Sequence, residues 1–438
     1  MFDPANEPAF RLDVAGLSDV FEVLAFTGRE AISEPFVFDM ELLVNDPALD
    51  LASLLYRSAS LYFGPAGNSV HGQLHELIQR EHGSMNRLCH VRLGPRLACL
   101  SQRFSQRIFS ARSVPQILDQ VLREHGIVGQ DRRFELDGDY PARDFCTQYR
   151  ESDLQFIQRL CAQERLHYHF EHRARGHCVV FADGQGHFRR GETALFSSEG
   201  ERPAVRRFEV QRSADSSVQS AQCGSDLPML RSAQLMPLAG HPVAEWNQLW
   251  LLTHVEHQGS QDPIAPYSNQ LRAMRWEVAF ESSSIAEKPT MRGLQRAWVV
   301  DVDELRPDPS RPVAVQFDWL YQGEGATPSH CWLPLAPGLA LASAAQLSEG
   351  AEVVVSFIEG DPDRPLITGF LHQPDRIEEV ETTYATDDCP SEAVQGWLRS
   401  GEPLLLLCLL PGGGPFNHCA QALCTCRAAT RLGQSGAA

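Results

Sequence analysis

Apolar and polar positions alternate through much of the first hundred residues. Residues 21–26 (FEVLAF) are dense in strand formers, and residues 36–42 (FVFDMEL) alternate. Both predict strands, with Gly28 and the segment Ser33, Glu34, Pro35 as turn signals between them. Residues 61–93 continue the pattern, broken by turns at 64–68 and at Gly83 and Ser84. Many short strands with turn signals predict a barrel or sandwich. Two stretches change period. Over residues 113–125, Val114, Ile117, Leu118, Val121 and Leu122 fall on one helical face, with Ser113 as N-cap and Gly126 in the C′ position. A second helix starts at Ser152, with Gln155 completing a capping box and Leu154, Ile157, Leu160 and Cys161 as its stripe.

Strand character returns at 166–170 and 178–181, then fades through 184–232, which is rich in Gly, Ser, Arg and Glu. Further strand-like runs lie at 249–255 and 275–280, and 282–289 reads as a linker. Five short runs follow, at 297–302, 313–319, 332–335, 352–358 and 366–371. Such spacing suits a small closed barrel of the OB-fold kind. The organisation expected is therefore a module over 1–290, a barrel over 291–374 and an irregular tail over 375–438. The tail opens acidic, at Glu378, Glu379, Glu381, Asp387 and Asp388. It then carries an apolar run at 404–410, too short to span a bilayer, and a Cys-rich end.

Charge narrows the function. The net charge of −18 disfavours a nucleic-acid partner. No apolar run of membrane-spanning length occurs, and the acidic start lacks the basic and apolar regions of a cleaved secretory signal. Of the 12 cysteines, Cys89, Cys99, Cys146, Cys161, Cys178, Cys223 and Cys331 are scattered without a CxxC pair, which fits buried thiols in a reducing compartment.

Candidate chemistry is sparse. His167 and His169 share a strand face and imidazole suits zinc, but with His172 they have no acid or Cys fixed nearby by spacing. His71 and His75 have HxxxH spacing on a strand rather than a helix. Glu359, Asp361 and Asp363 lack the frame of a calcium loop, since Arg364 and Pro365 interrupt it. His418, Cys419, Cys424 and Cys426 have metal-ligand chemistry but no standard spacing. No G-x-S-x-G elbow or triad context is present. The expectation is no catalytic residue, no metal and no cofactor.

Residues 350–369 (GAEVVVSFIEGDPDRPLITG) make physical sense as a β-hairpin of the barrel. Pro362 fixes φ, Gly360 can supply a positive φ, and the acids fall at the tip. This passage resembles the VgrG family (Vgr-like proteins of Rhs elements), which is similar to the hub and needle base of contractile phage tails. Its motif positions here are Gly350, Phe357, Glu359, Gly360, Asp361, Pro362, Asp363, Pro365 and Gly369. Residues 25–39, 114–126, 148–157, 166–172 and 240–257 resemble the family too. The resemblance implies a mainly β fold with a few helices: a phage tail-hub-like module of two β-barrel subdomains, then an OB-fold barrel. It implies a structural role without catalysis, as the type VI secretion spike. Such a spike is a homotrimer on the Hcp tube that meets baseplate components, a PAAR tip protein and effectors. It leaves the cytoplasm through the type VI apparatus and crosses the target membrane mechanically. Two departures stand out. The segment between Val210 and Leu227 is shorter than in the family, so the second barrel is expected to be either shortened or completed by a different connection. The resemblance also stops near Pro374, without the repeats of a β-helix needle. A phage tail hub, a hydrolytic effector in the tail and a truncated, decaying paralogue are the alternatives.

Overall fold

The computed structural model describes residues 10–372, apart from 18–19, 45, 47–48, 65–67, 83–85, 174–175, 213–218, 262–265, 281–286, 303–307, 321–329 and 340–346. The candidate residues of the tail, His418, Cys419, Cys424 and Cys426 among them, lie outside the described residues. The chain forms two compact units.

In the first unit, β1 (Phe10–Val14), β2 (Val20–Ala31), β3 (Val37–Val44), β4 (Ser58–Phe63), β5 (Ser69–His82) and β6 (Asn86–Gly94) run in the order β1-β4-β5-β6-β3-β2. β1 pairs back with β2, which closes a six-stranded antiparallel barrel. Period-two burial makes its interior: on β3, Phe38, Met40, Leu42 and Val44 point inward. Gly28 is not a turn residue; it stands inside β2, where a Cβ would lie 2.2 Å from the Phe38 ring. The ring occupies the space a side chain would need. The turn is made after β2, where Ser33 has φ 64°.

β7 (Phe104–Phe109), α1 (Val114–Glu124), β8 (Arg132–Glu135), β9 (Cys146–Ser152), α2 (Asp153–Gln163), β10 (His167–Arg173) and β11 (Gly176–Ala182) follow, with most of β7 and β9 belonging to the second unit. Both helices begin with reciprocal capping boxes, Ser113 with Gln116 and Ser152 with Gln155. α1 ends in a Schellman turn: the Ile127 amide donates to the Leu122 carbonyl at 2.9 Å, and Gly126 takes φ 70°. β11 lies between β10, antiparallel, and β8, parallel.

β12 (Arg189–Arg190), β13 (Ala194–Leu195), β14 (Val205–Arg212), β15 (Gln219–Ser225), β16 (Gln234–Ala239), β17 (Leu249–Ser260) and β18 (Tyr267–Arg275) complete the first unit. β16, β17, β18, β15 and β14 pair in that order. The ring is completed by residues 194–197: β13 pairs with β16, and Phe196 bridges in parallel to Val205. The Phe196 amide donates to Ala239 at 2.8 Å and the Ser197 amide to Val205 at 2.9 Å. Trp250, fully buried, fills this second interior beside Phe208, their rings 5.1 Å apart. β17 serves both barrels, pairing residues 249–252 with β16 and 254–260 with β2. The strand expected over 275–280 ends at Arg275 instead. Its alternation runs upstream, with Asn269, Leu271 and Ala273 inward, and one polar and one small inward residue mute the hydrophobic signal.

The second unit gathers residues from Lys288 onward together with 106–111 and 144–150. β19 (Gln295–Val299), β20 (Val313–Phe317), β21 (Cys331–Leu333), β22 (Glu352–Phe357) and β23 (Pro365–His372) lie in the order β21-β20-β19-β22-β23. A parallel bridge between Leu335 and Ile367 joins the two ends. Ile367 receives the Ala336 amide at 2.8 Å and donates to Pro334 at 3.0 Å, so the barrel closes. Phe145 joins its core, with Ala297, Val315, Phe317, Val353 and Val355. Among the described residues, no helix is long and apolar enough to cross a membrane.

Candidate functional site: the clamped hairpin turn

β22 and β23 form the hairpin that the sequence suggests, and its turn is set by backbone strain and by one lysine. Glu359 and Gly360 both take positive φ, 58° and 75°. Glycine adopts that conformation at no steric cost, whereas Glu359 does so as an exposed, strained residue. The Gly360 carbonyl accepts the Met291 amide at 2.8 Å. Asp361 Oδ1 accepts the Asp363 amide at 2.9 Å and meets Lys288 Nζ at 2.5 Å. Asp363 Oδ2 meets the same Nζ at 2.7 Å. From 144–150, the Thr147 amide donates to Asp363 Oδ1 at 2.6 Å and its hydroxyl to the Pro362 carbonyl at 2.8 Å. Pro362 is buried in consequence, so the turn is docked rather than held out in solvent.

Burial alone would raise the Asp361 carboxyl, but Lys288 and the Asp363 amide outweigh it and hold the group below its usual range. Both carboxylates are thus engaged by a cation of the chain itself. Phe357 stacks on Phe317 at 6.2 Å and anchors the hairpin in the barrel core. Pro365 opens β23 opposite Phe357. Gly350, with φ 81°, sits at the far end of β22, where its amide donates to Val299 at 2.9 Å. Gly369 lies opposite Val354 beside a register shift. Bulges of this kind bend a strand, as closure of a small barrel requires. Seven of the nine motif residues therefore converge on the turn, while Gly350 and Gly369 shape the strands.

Sequence reasoning missed Lys288 and Thr147. Lys288 carried a signal, being the sole lysine of the chain. Thr147 carried none, because its contact spans 216 residues. Replacing Lys288 by Met is expected to lower unfolding free energy by about 1–2 kcal/mol, since the pairs are only partly buried. Denaturant unfolding followed by Trp fluorescence measures this. Lys288→Arg should recover part of the loss, and an unchanged midpoint for Met would rule the clamp out as a stabilising contact.

The histidines divide between two faces of the β10-β11-β8 sheet. His167 and His169 stack side by side, their rings 6.2 Å apart, with Phe188 over them. His172 lies on the other face near Phe36, and its Nδ1 accepts the His71 amide at 3.1 Å. His75 is separate from His71, its Nε2 3.0 Å from the Pro95 carbonyl. Burial raises the thiols of Cys161 and Cys331, and pushes Cys223 up to about 12.

A family model described as phage tail baseplate hub (GPD) matches residues 29–217. The type VI secretion system spike protein VgrG5 of Pseudomonas aeruginosa is 35% identical, over 95% of this chain and 62% of its own length. VgrG4b, a spike protein of the same organism, is 34% identical over 85% of this chain and 57% of its own. The chain belongs to the VgrG family. It spans roughly three-fifths of the length of these curated relatives. In fold it matches the E. coli c3393 protein, a component of the type VI secretion system with structural similarity to the T4 bacteriophage tail proteins gp27 and gp5. That match has a TM-score of 0.70 at 24% identity and covers 82% of this chain and 99% of the other.

Proposed function

We propose that this chain is the hub and needle base of a type VI secretion spike. Three copies assemble on the end of an Hcp tube and are expelled through the apparatus to deliver effectors into a target cell. The likeness to named spike proteins along 95% of the chain carries this reading. The role is mechanical: the barrels are filled by side chains, and Asp361 and Asp363 of the motif are paired to Lys288 rather than presented to a substrate. Baseplate components and a PAAR tip protein are the further partners proposed, with no nucleic acid among them.

Light scattering coupled to size exclusion tests the assembly. The expected mass is three times 48.8 kDa. A monomer that also fails to retain Hcp would overturn the spike reading and favour a decayed paralogue. A second reading, a hub of a phage-like particle, draws on the baseplate-hub family match. A trimer that ignores Hcp but binds phage-type tube protein would select it. An effector activity in 375–438 would appear as loss of recipient toxicity, with secretion intact, when those residues are deleted.

A further inference from the structure

The parallel pairing of β11 with β8 sets Ala182 beside Glu135, so the two strands end together. Asp183 follows one strand and Asp137 the other. Gly184, at φ 85°, starts the turn that brings His187 back to both. Ligand-capable atoms of Asp137, Asp183 and His187 lie within 4.8 Å of one another. His187 Nε2 is 3.1 Å from Asp137 Oδ2 and 3.6 Å from Asp183 Oδ1. We propose that Asp137, Asp183 and His187 bind a divalent cation of the zinc class, with water completing the coordination.

The donor set suits that class: one imidazole and two carboxylates, with open positions left over. Asp183 is held in place independently of His187. Its carboxylate accepts the amides of Asp137 and Gly138, and the Tyr140 hydroxyl at 2.6 Å. The other ring nitrogen of His187 faces Glu135 Oε2 at 3.8 Å. An outer carboxylate behind a histidine is the arrangement that orients metal-bound imidazoles. Asp137, by contrast, is 86% exposed, so the site opens to solvent.

A second observation comes from the neighbouring strand. His167 pairs with Ala182, which pairs with Glu135, so the three residues form one row and share a sheet face. His167 is 5% exposed, and its buried Nε2 has no hydrogen-bond partner. Its ring stacks at 4.5 Å on Phe188, the residue after His187. Burial, then the charges of His169 and His187, depress its basicity to about 3, so it stands in the same row as Glu135 as a neutral imidazole. A buried nitrogen of this kind is commonly satisfied by a water or an ion. A metal-bound water at this cluster would supply the missing partner.

The test is calorimetric titration of the untagged full chain with zinc sulfate, with cobalt(II) absorption as a second readout. The expected result is one zinc per chain at micromolar affinity. Asp137→Asn and His187→Gln should each weaken it roughly tenfold or more, with circular dichroism unchanged. The visible cobalt(II) band should change in His187→Gln. No binding up to about 1 mM zinc, or binding that both variants retain in full, would overturn the proposal. His187 would then be only an ion-pair partner of the two aspartates.

Discussion

Replacing Arg231 by Met is expected to remove about 3–5 kcal/mol of unfolding free energy. Arg231 lies against Glu30, a carboxylate only 5% exposed inside the first unit, with Nη1 3.5 Å from Oε1. Its Nη2 donates to Asn68 at 2.8 Å, and its guanidinium stands 5.0 Å above the Phe63 ring. His257 Nε2 approaches the same Glu30 oxygen at 3.4 Å, while its Nδ1 sits 2.6 Å from the Tyr267 hydroxyl. Burial by itself would raise the Glu30 carboxyl. Arg231 first, then His257, outweigh it and bring the group down to about 2. Without the guanidinium, a buried charge would be left with His257, whose own charging burial opposes. The loss should come mostly from that stranded charge, so the double variant Glu30→Gln, Arg231→Met should regain more than half of it. Chemical denaturation of the three proteins decides the matter. A single variant within about 0.5 kcal/mol of the parent would show that Glu30 needs no cation.

The second large effect is acid lability. Burial brings His169 and His172 down to about 4 and His177 to about 3, against an ordinary value of 6.5. Around His169 stand Glu171, Glu135, Arg133 and Arg189; the two acids oppose the shift and the two arginines add to it. Around His177 stand His172, His71, Arg96 and His75, all of which reinforce it. Glu30 opposes the shift at His172, where Arg231 and His71 add to it. In each case the folded state binds its proton later than the unfolded chain does. Stability is therefore full above pH 6.5 and falls as the pH drops below it, because the unfolded chain takes up protons first. The loss continues until the folded values near 3–4 are reached. By pH 5 each such histidine contributes up to about 2 kcal/mol, and partial exposure of His172 and His177 reduces their share. A total of about 3–5 kcal/mol between pH 7.5 and pH 5 is expected. Glu30 acts in a lower window: its stabilising share is intact above 4.5 and is lost as the pH falls toward 2. Denaturant midpoints measured across that pH range check the slope, and His169→Gln should flatten it. A level profile would mean that the buried imidazoles titrate normally.

Local pattern carried a good deal of this protein. The caps at Ser113 and Ser152, the glycine at 126 and the five strands of the small barrel each depend on residues a few positions apart, and each is legible from the chain. The hairpin 350–369 was readable for the same reason. Tertiary structure decided what lay further apart. β14 and β15 escaped notice because their inward positions include Ala221 and Cys223, small residues that read as surface until Trp250 is seen filling the space between strands. Gly28 looked like a turn because nothing in its neighbourhood announces the Phe38 ring that takes its place. The carboxylates Asp361 and Asp363 were visible, but Lys288 and Thr147 reach them from distant segments. Glu30 and His257 likewise meet only because β2 and β17 pair, and Arg231 reaches them from the turn before β16. The sequence by itself determined which stretches become strands, helices and turns, since backbone preference and alternation act over a few residues. Barrel closure, charge pairing and the docking of the motif turn required the fold, because each is a contact between residues that the chain keeps far apart.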